Sequence, residues 1–160
     1  MNRTVSAPPV ELRPVRPSDA EDLARIRVEA MRESLEAVGR FDAQRARDRF
    51  LGTFVADHTR EIVASGQRVG FVVVRPLDDG LLLDHLYLLP AAQGRGLGGA
   101  VLAVLFADAD AAGRPLRVGA LKHSRSNQFY LRHGFRLIES AEWDNYYVRQ
   151  PEGAATGEAR

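Results

Sequence analysis

Residues 90–99, PAAQGRGLGG, carry four glycines (Gly94, Gly96, Gly98 and Gly99) between two strongly apolar stretches, LLLDHLYLL before them and AVLAVLFADA after. A helix whose first turn is nearly bare of side chains exposes unpaired backbone N–H groups at the positive end of its dipole. Such a terminus binds phosphate, and glycine lets the anion approach the donors closely. Two common phosphate devices do not match the surroundings. A P-loop ends in Gly-Lys-Ser/Thr, and the one lysine of the chain, Lys122, is remote from this stretch. Gly94, Gly96 and Gly99 satisfy G-x-G-x-x-G, but a dinucleotide-binding unit carries it after the first strand, with an acidic residue about 20 positions on. Here Asp110 falls inside the helix that follows.

Proton-transfer groups come next. LLLDHLYLL is continuously apolar, as a strand covered on both faces should be, except at Asp84 and His85. Neighbours in a strand point to opposite faces, so at most one of the two can serve a given site. A histidine can exchange a proton near neutral pH, and a carboxylate in an apolar wall can have its pKa raised. Glu29 and Glu33, or an ordered water, are the other candidates for a base. The chain has no cysteine, which excludes disulfides, thiolate metal sites and a cysteine nucleophile. His58, His85, His123 and His133 show no ligand-like spacing, so no metal is expected.

Alternating patterns define the elements that must position these groups. Val10–Val15 reads as a strand that Pro14 confines to an edge or an end. Ser18 and Glu21 have capping-box spacing before a helix with Leu23, Ile26, Ala30 and Leu35 on one face, and Gly39 is its stop. Asp42 can cap a second helix carrying Ala46 and Phe50. EIVAS, RVGFVVVR and LLLDHLYLL follow as strands joined by short turns, expected to pair antiparallel. After the glycines, Leu97, Val101, Leu105 and Ala109 line one face of a helix ending near Gly113 and Pro115. LRVGAL is a strand, residues 124–133 a helix closed by Gly134, and FRLIES and NYYVR two final strands. About seven strands and four helices make a mixed α/β (α+β) architecture with helices on the sheet faces.

A chain of 160 residues is long enough for one domain, expected over residues 10–149, with residues 1–9 and 150–160 as loosely ordered ends. A formal charge of +1 argues against nucleic-acid or anionic-membrane partners. Arginine supplies all basic residues but Lys122, so arginine clusters carry little functional weight. Without an apolar run of membrane-spanning length or a signal-like start, a soluble cytoplasmic protein is expected.

Gln93-Gly94-Arg95-Gly96-Leu97-Gly98 resembles the Q/R-x-x-G-x-G/A signature of the GNAT superfamily of acyl-CoA-dependent N-acetyltransferases. DHLYLLPAAQGRGLG is similar to that family's fourth strand running into its pyrophosphate loop. FYLRHGF, residues 129–135, is similar to the end of its fourth helix and the start of its sixth strand. The order of elements also agrees, so the likeness covers roughly residues 12–148. It implies a central, largely antiparallel sheet splayed between strands 4 and 5, with four helices on its faces. It further implies that the backbone of Gly94, Arg95, Gly96, Leu97, Gly98 and Gly99, with Gln93 beside them, holds the diphosphate of acetyl-CoA.

By the same likeness, the pantetheine arm lies along Leu86, Tyr87 and Leu88, one of whose N–H groups serves the oxyanion, and Tyr130 protonates the departing thiolate. The family often has an asparagine where this chain has His123, and Asn127 is the candidate to take over its cofactor contact. The acceptor pocket is implied around Met31, Arg32, Leu35, Phe41 and Arg45 together with Trp143, Tyr146 and Tyr147. The expected activity is transfer of an acetyl group from acetyl-CoA to the amine of a small molecule or peptide, by direct attack in a ternary complex. The alternative is an acyl-CoA-binding sensor or scaffold without turnover. The acceptor, the base, the acyl-chain preference and the oligomeric state, a homodimer included, stay open at this level.

Overall fold

The computed structural model describes residues 9–37 and 39–153; most of both ends expected to be loosely ordered, residues 1–8 and 154–160, lies outside it. Among the described residues the chain forms seven strands and four helices, the strands in the order β1-β2-β3-β4-β5-β7-β6. These are β1 (Val10–Pro14), α1 (Ala20–Ala37), α2 (Ala43–Thr53), β2 (Thr59–Ala64), β3 (Gln67–Leu77), β4 (Gly80–Leu88), α3 (Leu97–Ala112), β5 (Leu116–Leu121), α4 (Ser126–Arg132), β6 (Arg136–Ser140) and β7 (Asp144–Arg149). The chain divides into two compact units, residues 9–73 with 85–101 and residues 74–84 with 102–153.

In the first unit β1 pairs antiparallel with β2 and β2 with β3. The β2–β3 turn uses positive φ at Ser65 (52°) and Gly66 (77°), the conformation that a two-residue hairpin needs. Gly70 pairs with Ile62 and Arg68 with Val63, so Val69 is a bulged extra residue that switches β3's faces. On one face Leu23, Ala24 and Ile26 of α1 and Phe50 of α2 pack with Phe71, Val73, Tyr87 and Leu89. On the other, Leu97 of α3 packs with Ala64, Ala92, Val69 and Leu88. Complete burial of side chains such as Leu23, Phe50, Phe71 and Leu97 contributes about 1.5–3 kcal/mol each.

Asp42 caps α2 as expected, its carboxylate accepting the Arg45 N–H at 3.1 Å. The start of α1 differs from the expected Ser18–Glu21 box. Pro17–Asp19 forms a short 3-10 turn, and Asp19 Oδ2 accepts the Arg16 N–H at 2.8 Å, leaving Ser18 exposed. Proline at the first position favours that earlier turn. Gly39 (φ +70°) stops α1, with Arg40 N–H donating to Leu35 O at 2.8 Å.

In the second unit Leu81–Leu83 of β4 run parallel to Leu116–Val118 of β5; the register stops there, although β5 continues to Leu121. β7 lies antiparallel between β5 and β6, out of chain order. Leu102, Leu105 and Ala109 carry the apolar face of α3 inward. Arg149 of β7 lies over the Phe106 ring (4.1 Å to its centroid) and forks onto Asp110 at 2.9 and 3.2 Å. Arg149 and the Glu152 N–H hold the Asp110 carboxyl below its ordinary pKa. The acidic residue that failed the dinucleotide pattern is therefore part of a structural ion pair.

Candidate active site

α3 begins where its glycines predict. Ala100 N–H donates to Gly96 O at 3.2 Å, which makes Gly96 the N-cap and leaves the N–H groups of Leu97, Gly98 and Gly99 without partners inside the helix. Gly94 (φ +75°) and Gly96 (φ +77°) both take the left-handed conformation that glycine adopts without strain. No heavy atom lies within 4 Å of where a Cβ on Gly94 would sit, and the first turn of α3 has no acidic side chain. Gln93, Gly94, Arg95 and Gly96 are exposed, whereas Leu97 is buried and anchors the helix start in the core. Backbone donors, open space and one arginine fit an anionic group such as a diphosphate. Gln93 turns back instead, its Nε2 donating to Leu88 O at 3.0 Å, so its side chain ties the loop to the end of β4.

The end of β4, where the pantetheine arm is expected, has a defined backbone orientation. Leu89 N–H donates to Val69 O at 2.8 Å, and the Tyr87 carbonyl closely approaches Gly70, so residues 87 and 89 turn their backbone groups toward β3. By strand alternation Leu86 and Leu88 turn theirs to the other edge, and of these Leu88 O is taken by Gln93. Gly70 marks a close backbone approach that the sequence reading missed, although a glycine inside an apolar strand is the signal for it.

Asp84 and His85 part as adjacency requires. Asp84 is exposed and paired with Arg75 at 2.5 Å. His85 is half-buried on the face of Tyr87, its ring 5.6 Å from Phe50, 6.2 Å from Phe71 and 5.5 Å from Tyr87. His85 Nδ1 and the Tyr87 hydroxyl stand 3.4 Å apart, long for a hydrogen bond. Glu29 and Glu33 are exposed on α1. At the end of α1, the Arg32 guanidinium lies 4.5 Å from the centre of the Phe41 ring. Met31 and Leu35 are half-buried and Arg45 is exposed.

In the second unit Tyr130 is 6% exposed, its ring among Phe129 (5.3 Å), Phe135 (5.3 Å) and Tyr147 (6.3 Å). Asn127, one turn earlier on α4, is also buried. Its Nδ2 donates to Leu121 O (3.0 Å) and Ser124 O (2.9 Å), and its Oδ1 accepts from the Tyr147 hydroxyl (2.6 Å) and Asn145 Nδ2 (2.9 Å). His123 is exposed with φ +70°. Of the four aromatics expected at an acceptor pocket, three lie in this unit; Trp143 and Tyr146 are exposed and Tyr147 is buried. Among the described residues no helix is long and apolar enough to cross a membrane, and no cluster of three metal-ligating side chains occurs.

A family model described as an acetyltransferase (GNAT) domain matches residues 50–137, more than half of the 160 residues. The chain belongs to the GNAT acetyltransferase family. The matched GNAT segment runs from Phe50 of α2 through β2–β4, the glycine loop, α3 and α4 to Leu137, and so includes every residue expected to bind the donor or protonate the thiolate.

Solved structures agree on the GNAT fold. A PaiA N-acetyltransferase from Thermoplasma acidophilum, in complex with coenzyme A, has a TM-score of 0.77 at 15% identity, covering 88% of this chain and 98% of its own. An acetyltransferase from Thermus thermophilus has a TM-score of 0.69 at 22% identity, covering 89% and 97%. An N-acetyltransferase from Staphylococcus aureus has a TM-score of 0.66 at 14% identity, covering 86% and 99%. No curated protein sequence matches the chain. As a GNAT acetyltransferase the protein is an acyl-transferring enzyme, with the mixed seven-stranded sheet and four helices that its sequence predicts.

Proposed function

We propose that this enzyme transfers the acetyl group of acetyl-CoA to the amine of a small molecule or peptide, by direct attack within a ternary complex. The observation that carries the reading is the start of α3, where two exposed left-handed glycines lead into three N–H groups without helical partners. Acetyl-CoA supplies an activated thioester, whose acyl carbon accepts the amine. The N–H groups of Leu97, Gly98 and Gly99 hold the diphosphate, with Gly94 and Gly96 clearing its approach and Arg95 adding charge. Gln93 acts by fixing this loop to Leu88.

Leu86 and Leu88 present the backbone that binds the pantetheine arm, a form of strand addition, and one of their N–H groups stabilises the oxyanion. Tyr87, with its carbonyl toward β3, contributes its side chain to the aromatic cluster instead. Tyr130 delivers the proton to the thiolate that leaves. For the amine's proton the geometry favours His85 over Asp84. The Asp84 carboxylate is held by Arg75, whereas the His85 ring sits among aromatics on the face that α1 and α2 cover. With no cysteine in the chain, a thiol-bound acyl-enzyme has no residue to form on.

The test is a screen of polyamines, amino acids, aminoglycosides and peptides with free N-termini, with acetyl-CoA as donor and released thiol as the signal. At least one amine is expected to release CoA well above the hydrolysis background. Release that is the same with and without every amine would leave the enzyme without an N-acetyl-transfer function and sink the reading.

A further inference from the structure

α4 spans seven residues, too few to be stable in isolation, and no side chain caps its N-terminus. Its orientation must therefore be imposed from outside, and the buried Asn127 does this most directly. Both ends of its amide are matched to fixed partners. Two backbone carbonyls, Leu121 O and Ser124 O, can only accept, so they face Nδ2. The Tyr147 hydroxyl and Asn145 Nδ2 then donate to Oδ1. Asn145 is itself set by Ser140, whose hydroxyl donates to Asn145 Oδ1 at 2.6 Å. The first turn of α4 is thereby tied to the end of β5, to two residues of β7 and, through Ser140, to β6.

Tyr130 stands three residues beyond Asn127, on the same side of the helix. Rotation of α4 about its axis would carry the Tyr130 hydroxyl away from wherever it must act, and the bonds at Asn127 oppose that rotation. The Tyr147 ring meets Tyr130 at 6.3 Å while its hydroxyl meets Asn127, so one side chain touches both residues.

We propose that Asn127 and Tyr147 are positioning residues that aim the Tyr130 hydroxyl, Asn127 acting as the hub of a buried polar network rather than as a contact to the donor. The inference rests on the reading of Tyr130 as proton donor, and the experiment separates the two. Steady-state kinetics are measured for Tyr147→Phe, Asn127→Ala, Tyr130→Phe and the double variant Tyr147→Phe/Tyr130→Phe, using the best amine from the screen. Tyr147→Phe keeps the ring and removes one hydrogen bond, so kcat is expected to fall about five- to tenfold. KM for acetyl-CoA should stay within about twofold of the parent, and Asn127→Ala should lower kcat further with the same pattern.

Because both residues act through Tyr130, the double variant should be no slower than Tyr130→Phe alone. If Tyr130→Phe itself leaves kcat unchanged, the proton-donor reading falls and takes this inference with it. If Tyr130→Phe is slow but the Tyr147→Phe loss multiplies in full in the double variant, the positioning role is overturned alone. A rise in KM for acetyl-CoA on Asn127→Ala with unchanged kcat also overturns it, in favour of a donor contact. Should Asn127→Ala fail to fold, Tyr147→Phe carries the test by itself.

Discussion

Replacing Tyr130 with phenylalanine is expected to lower kcat for acetyl transfer by roughly 10²–10³-fold, the usual scale of a lost general acid, while CoA affinity stays within about twofold. Tyr130 is 6% exposed, and its ring contacts to Phe129, Phe135 and Tyr147 are all available to a phenylalanine ring. What disappears is one oxygen. A thiolate expelled without a proton then has to leave as an anion, which slows collapse of the tetrahedral state without touching the residues assigned to the diphosphate. Kinetics on the screened amine, with CoA titrated by calorimetry, check both halves. An unchanged kcat would remove Tyr130 from the mechanism.

The second large effect belongs to a position with no polar atom in its side chain. Gly70→Ala is expected to destabilise the fold by about 2–4 kcal/mol, through overpacking against atoms that cannot rotate aside. A Cβ there would overlap the Tyr87 carbonyl oxygen and lie 3.0 Å from its carbon and 3.1 Å from Leu88 Cα. All three are backbone atoms, so relief requires β3 and the end of β4 to move apart. In a chain of this length the thermal midpoint should drop by roughly 5–15 °C. Because the displaced segment is the one assigned to pantetheine and the oxyanion, kcat/KM for acetyl-CoA should fall as well in whatever protein remains folded. A midpoint within about 2 °C of the parent would show that the strands part at little cost, on the order of 1 kcal/mol or less.

Most of this architecture is legible in the sequence because local rules act on single residues. The start of α3, its buried stripe of Leu97, Val101, Leu105 and Ala109, the Asp42 cap and the Gly39 stop all follow from spacing and backbone preference. Asp84 and His85 were legible as a pair with opposite faces, but not as an ion pair and an aromatic-lined ring. That distinction depends on Arg75, Phe50 and Phe71, whose placement is set by strand pairing and helix packing. The same limit hid the Asn127 network. Asn127 and Tyr147 are 20 residues apart, and nothing local in either segment points to the other. The placement of β7 between β5 and β6, which brings Tyr147 to α4, is a property of the whole sheet.

At the start of α1, by contrast, two local rules competed. A proline-led 3-10 turn capped by Asp19 displaced the box expected at Ser18 and Glu21. Gly70 was readable in principle, since a glycine within an apolar strand marks close approach, and only the partner, Tyr87, needed the structure.

The central claim is that the glycine-rich start of α3 holds the diphosphate of the acyl donor. Its most direct test is a thermal-shift titration with CoA, set beside pantetheine, which carries the same thiol arm without the diphosphate, and beside ATP and NAD. At about 100 times its Kd, CoA should stabilise the fold by about 3 kcal/mol. That corresponds to a rise of roughly 5–12 °C in the midpoint. Pantetheine, ATP and NAD at the same concentration should give far smaller shifts. A midpoint that does not move with CoA or acetyl-CoA, or that moves as far with pantetheine, would contradict the assignment.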